Sequence, residues 1–183
     1  MATVWPIDGE QFAVLADCHI HPGGGPAFPT ELFDALAGVD LIVTLGDMGE
    51  SAGLDRLMEI APVIGVRGQD DAEDPRTGSQ LLLLASDELA IGCVFDAVAA
   101  GLATSSEPFT PVDDFASAAE RVFGRRIDAL LHASTHRPET VELDGCLVLN
   151  PGSAVLPAEG ARRGLLVVAA RGRALTSSAV FLD

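Results

Sequence analysis

The fold is decided by the stretch from Phe12-Ala-Val-Leu-Ala16 through Leu41-Ile-Val-Thr-Leu45 to Val63-Ile-Gly-Val66. Each of these three segments is a short continuous apolar run, the pattern of a strand buried on both faces. Between the first two, a Pro/Gly loop over residues 22–26 leads to Thr30, an expected N-cap. Leu32, Phe33 and Leu36 then share one helical face, and Gly38 closes the helix. Between the second and third, Ser51 is expected to cap a helix carrying Leu54, Leu57, Met58 and Ala61, ended by Pro62. A β-α-β-α-β succession implies a parallel sheet with right-handed crossovers.

Further along, the rhythm changes. Leu81–Leu84 and Leu89–Phe95 are too close for a helix between them and predict an antiparallel hairpin. Residues 112–123 predict an amphipathic helix with Phe115, Ala119, Val122 and Phe123 inward and Gly124 as its stop. Residues 129–132 predict another strand. Asp144-Gly145 and Arg171-Gly172 sit where two-residue hairpin turns favour positive φ. With no linker or repeat, the expectation is one domain over residues 1–183.

Composition narrows the function classes. The chain has 183 residues, 48% of them hydrophobic, which excludes intrinsic disorder. The apolar runs are strand-sized, so no membrane span is expected. A net charge of −16 without a single lysine argues against nucleic acid as a partner. Cys18, Cys93 and Cys146 are far apart and odd in number. Together with an N-terminus that does not read as a signal peptide, they predict a reduced, cytoplasmic protein.

Ionisable residues gather just past the strand ends: Asp17, His19 and His21 after the first, Asp47 after the second, Arg67 to Asp71 after the third, and His136 after the later strand. Ligands of open α/β sheets bind at these carboxyl ends. Two carboxylates and one or two imidazoles converging there suit a divalent ion with mixed N/O ligation. His132, inside an apolar strand, reads as a satisfied core histidine, and the acidic run from Asp70 to Asp74 as a solvated loop. Arg67 and Arg137 are candidates either to hold a phosphoryl oxygen or to pair with that loop.

Asp17-Cys-His19, Leu45-Gly-Asp47, Val66-Arg-Gly-Gln-Asp-Asp71, Ala133-Ser-Thr-His136 and Asn150-Pro-Gly-Ser153 follow one another in a recognisable order. Over about residues 12–182 the chain resembles the calcineurin-like metallophosphoesterases, and within them the small bacterial and archaeal phosphodiesterases. The resemblance implies an α/β fold, a four-layer α/β/β/α sandwich with two mixed β-sheets. It also implies a first metal position formed by Asp17, His19, Asp47 and His136. At the second position it leaves Gln69 as a weak ligand, with Phe95 and Ser134 where the family has histidines. Asp96 or His21 entering that second position would be a local rescue.

The expected activity is therefore metal-dependent hydrolysis of a phosphoester, most naturally a phosphodiester, by metal-bound hydroxide. One or two ions are expected, Mn²⁺ first, with Fe²⁺ or Zn²⁺ as alternatives. The partner would be a small phosphorylated substrate. The alternative is an inactive family member that binds a protein, as does the light retromer subunit, which shares this fold.

Overall fold

The computed structural model describes residues 1–21, 23 and 26–182, so the Pro/Gly loop expected at 22–26 lies mostly outside the described residues. The element order is β1 (Thr3–Pro6), β2 (Gln11–Leu15), α1 (Thr30–Ala35), β3 (Leu41–Thr44), α2 (Ser51–Met58), β4 (Val63–Gly65), β5 (Leu81–Ala85), β6 (Ala90–Val94), β7 (Ala103–Ser106), β8 (Phe109–Pro111), α3 (Phe115–Phe123), β9 (Ala129–Leu131), β10 (Pro138–Leu143), β11 (Cys146–Pro151), β12 (Gly164–Arg171) and β13 (Ala174–Phe181). They form a five-stranded sheet, β13-β12-β2-β3-β4, a six-stranded sheet, β1-β5-β6-β9-β11-β10, and a small β7-β8 ribbon. Both large sheets are mixed. Pairing of β2-β3-β4 is parallel, as the alternating pattern requires, while β12 runs antiparallel to β2.

Strand alternation distributes the core into layers. Phe12, Val14 and Ala16 face Leu82, Leu84, Ile91 and Leu131 across the gap between the sheets. Ala13, Leu15 and Ile42 point the other way, against Leu32 and Leu36 of the first helical segment and Leu54 and Leu57 of α2. Leu83, Val94 and Leu130 meet Phe115, Ala119 and Phe123 of α3 on the far side. The result is the expected four-layer α/β/β/α sandwich.

Local details depart from expectation in physical ways. Thr30 and Ser51 are the first helical residues rather than caps; Pro29 and Glu50 occupy the N-cap positions, without a side-chain cap bond. Met58 is half exposed rather than inward. Helix α3 begins at Phe115, where Asp114 caps it by accepting from the Ser117 N–H. The Asp144-Gly145 turn is as expected, both residues having positive φ. In the last hairpin Arg171 pairs with Ala174, so the turn residues are Gly172-Arg173.

His132 is buried, as expected, but it is not satisfied. Among the described residues neither ring nitrogen has a hydrogen-bond partner, and the Phe109 ring lies 5.1 Å away. Burial pushes its pKa down from 6.5 to about 4. The unfolded chain therefore takes up a proton near pH 6.5 that the folded chain refuses until about pH 4. Stability falls as the pH drops through that window, by up to about 1.4 kcal/mol per pH unit. His132→Phe should remove this component, and the difference between the two proteins in urea unfolding at pH 7 and pH 4.5 measures it.

Candidate metal centre

The loops after β2 and β3 run side by side as an extension of the sheet. The Asp17 N–H donates to the Gly46 carbonyl at 3.1 Å, and His19 and Ile20 donate to Asp47 and Met48 at 2.9 Å each. Gly46 (φ +100°) has no room for a side chain: a Cβ there would lie 2.6 Å from the Phe95 ring and 2.7 Å from the Gly68 nitrogen. A Cβ on Gly68 would lie 2.2 Å from the Asp47 nitrogen. These two glycines let the loops after β3 and β4 touch, which sets Asp47 at the rim.

All four residues of the expected first position have left-handed backbone: Asp17 (φ +52°), His19 (+49°), Asp47 (+50°) and His136 (+57°). Ser134 (+73°) shares this, and among the described residues the remaining non-glycine case, Asp144, lies in a hairpin turn. Such conformations cost about 1–3 kcal/mol each and persist where the surroundings hold them. Here the strain is concentrated at one rim of the sandwich.

Asp71 supplies much of that hold. Its carboxylate accepts four backbone N–H bonds, from Asp47 (3.0 Å), Met48 (2.6 Å), Gly49 (2.9 Å) and Gly68 (2.7 Å). The acidic run is thus only partly the solvated loop expected: Asp71 is buried, and Asp74 is buried against Arg76. Arg67 pairs with Glu73 of this run at 3.7 Å, whereas Arg137 pairs with Glu107 at 2.6 Å. Ser153 fastens the other side, donating its hydroxyl to the Asp17 carbonyl at 2.7 Å while accepting from Val155 and Leu156.

Within this frame Asp17, His19 and His136 bring ligand atoms within 4.8 Å of one another. The His136 Nε2 lies 4.0 Å from the Asp17 Oδ1, the His19 Nε2 lies 3.9 Å from the Asp47 Oδ2, and the two imidazoles stack with centroids 5.2 Å apart. Two ligands on one ion, each at about 2.1 Å, are up to about 4.2 Å apart. The Leu156 carbonyl can only accept, so at 2.6 Å it fixes the proton on the His136 Nδ1 and leaves Nε2 its lone pair. Asp17 Oδ1 is buried without a hydrogen-bond partner among the described residues. Burial pushes that carboxyl up to about 6, against the pull of nearby His136. A buried, unpartnered carboxylate oxygen facing two imidazoles fits a divalent cation.

The expected second position is lined differently. Phe95 is buried against Gly46 and offers no donor atom. Gln69 is exposed and lines a cleft of about 390 Å³ with Arg67, Phe95 and Asp96. The Asp96 carboxylate is engaged by the Val98 and Ala99 N–H groups, and His21 is turned to Asp70 at 2.8 Å.

The calcineurin-like phosphoesterase superfamily domain model matches residues 11–173, and the chain belongs to that superfamily. It is 29% identical over 147 residues to a probable metallophosphoesterase of Methanocaldococcus jannaschii, covering 79% of this chain and 68% of the relative. Among solved structures, Vps29 of Entamoeba histolytica complexed with Zn²⁺ superposes with a TM-score of 0.70 at 18% identity, covering 94% of this chain and 99% of that one. A novel archaeal phosphodiesterase superposes with a TM-score of 0.62 at 15% identity, covering 93% and 99%.

Replacing Asp71 by alanine leaves four backbone donors without their acceptor. Asp71→Ala should cost about 3 kcal/mol, lowering Tm by about 6–12 °C. Glu73→Ala, two residues away and exposed, should stay within about 0.5 kcal/mol. Thermal melts of the three proteins make the comparison.

Proposed function

We propose that the chain is a phosphoesterase working with one divalent ion, and that its substrate is a small phosphodiester. Asp17, His19, Asp47 and His136 would hold the ion, Mn²⁺ being the first choice, with Gln69 at most a weak additional ligand. The observation that carries this reading is the unpartnered Asp17 Oδ1, buried and 4.0 Å from a His136 Nε2 whose tautomer is fixed. When bound, such an ion polarises a phosphoryl oxygen and lowers the pKa of a coordinated water.

The protein's own part is to prearrange the donors. Left-handed backbone at Asp17, His19, Asp47 and His136 sets these residues at one rim, where Asp17, His19 and His136 bring ligand atoms within 4.8 Å of one another and Asp47 lies 3.9 Å from His19, and Asp71 and Ser153 bind the loops. Arg67, half-buried in the cleft beside Gln69, is positioned to meet a phosphoryl oxygen if Glu73 releases it. Phe95 removes the partner ion's ligand, so the charge neutralisation of a two-ion clamp is lost and turnover should be slow. The archaeal phosphodiesterase of like fold supports the substrate class. Three buried, unpaired cysteines support a reducing, cytoplasmic setting.

A second reading is favoured by Phe95 itself: a phenyl ring in place of a ligand, in a fold shared with Vps29, suits a chain that binds a protein and no longer turns over substrate. Hydrolysis of bis(4-nitrophenyl) phosphate separates the two. The first reading expects activity that EDTA removes and Mn²⁺ restores, and that falls at least about a hundredfold in Asp17→Ala and Asp47→Ala. Activity unaffected by EDTA contradicts it. Absence of turnover in a metal-loaded protein favours the protein-binding reading.

A further inference from the structure

We propose that Asp70 and His21, neither of which stands at a ligand position of the family pattern, form a clamp that orients His19 and strengthens it as a ligand. The proposal rests on the reading of Asp17, His19, Asp47 and His136 as the metal centre. One oxygen, Asp70 Oδ2, lies 2.7 Å from the His19 Nδ1 and 2.8 Å from the His21 Nε2. An ionised carboxylate only accepts, so both imidazoles donate to it. The proton of His19 is thereby fixed on Nδ1, and its Nε2 keeps a lone pair directed to the rim, 3.9 Å from the Asp47 Oδ2.

The two histidines of the centre are therefore held by different means. His136 donates to the Leu156 carbonyl at 2.6 Å, a neutral acceptor. His19 donates to a charged one, and a carboxylate behind a ligating imidazole fixes its rotation and raises its basicity. Asp70 also reaches the centre through its main chain, its N–H donating to the Asp47 Oδ1 at 2.8 Å. One residue thus touches two candidate ligands, one through its side chain and one through its backbone.

His21 explains how a surface carboxylate keeps this geometry. The Asp70 side chain is 43% exposed and would otherwise sample other rotamers. A second donor on the same oxygen restrains it. His19, His21 and Asp70 also present ligand atoms within 4.8 Å of one another. A cation among them would take the Nδ1 of His19 while its Nε2 serves the other centre, turning the ring into a bridging imidazolate and removing both hydrogen bonds. Distances of 2.7 and 2.8 Å to one oxygen are those of charge-assisted hydrogen bonds, which favours the clamp.

The test is Zn²⁺ titration against a chromophoric chelator for the wild type, Asp70→Asn and His21→Gln. It is paired with ¹⁵N-histidine spectra of the Zn²⁺-loaded proteins and melts of the metal-free ones. The clamp expects one equivalent in all three, with affinity lowered about 10–100-fold in Asp70→Asn and less in His21→Gln. It also expects a far-downfield His19 Nδ1 proton that moves upfield in Asp70→Asn, and metal-free Tm values that do not change. Wild-type affinity in Asp70→Asn overturns the clamp alone. So does a wild type that takes two equivalents while each variant takes one at unchanged affinity, since Asp70 and His21 would then be ligands of a second cation. A wild type that takes no metal overturns the metal centre and the clamp together.

Discussion

The Asp71 carboxylate is the interaction on which the site depends. Four N–H groups from the loops after β3 and β4 converge on its two oxygens. Those loops would otherwise bring several donors into a place without water, each a loss if left unpaired. With them paired, Gly46 and Gly68 close to contact distance, and Asp47 is held in a left-handed conformation. The strain at Asp17, His19, Asp47 and His136 is sustained by this staple, by the Ser153 hydroxyl and by the sheet-like ladder between the first two loops. If these residues are the donors, the fold arranges them in advance, and a cation would bind without an ordering cost.

The two sides of this rim are built differently. On one side, every candidate ligand has its orientation fixed: the histidines through their Nδ1 atoms, Asp47 through the Asp70 N–H, and Asp17 through the His136 N–H at 3.3 Å. On the other side, Phe95 fills the space beside Gly46 with a ring, and the exposed Gln69 faces a cleft instead of a ligand set. A two-ion hydrolase uses both halves as a symmetric clamp on attacking and leaving oxygens. A chain that retained one half would keep the Lewis acid and give up the clamp, which is why a slow enzyme and a binding protein are the two descriptions proposed.

Much of the fold was legible because burial on both faces writes continuous apolar runs, and β2, β3, β4, β5 and β6 all carry them. Strand β1 carries none: Thr3–Pro6 is an exposed edge strand, so no hydrophobic pattern marks it. The β7-β8 ribbon is short and largely polar, and escapes for the same reason. At the site, residue type and position brought out Asp17, His19, Asp47 and His136; of these Asp17, His19 and His136 bring ligand atoms within 4.8 Å of one another, and Asp47 lies 3.9 Å from His19. Asp71 was hidden because an acid among acids reads as solvated; its burial is revealed by its four N–H partners, three of them 22 to 24 residues away in sequence. His21 and Asp70 were in view as strand-end residues, but their contact with His19 through one shared oxygen is a fact of three dimensions. A signal for Asp71 existed in Gly68-Gln-Asp-Asp71, where a glycine three residues before a carboxylate suits a side chain folding back onto a backbone N–H.

We propose that the chain holds one ion, between Asp17, His19, Asp47 and His136. An anomalous difference map from a crystal soaked in Mn²⁺ addresses it most directly. The account predicts a single peak bounded by Asp17, His19, Asp47 and His136, with no density between Gln69, Phe95 and Ser134. Two peaks, or one peak away from those four side chains, would contradict it.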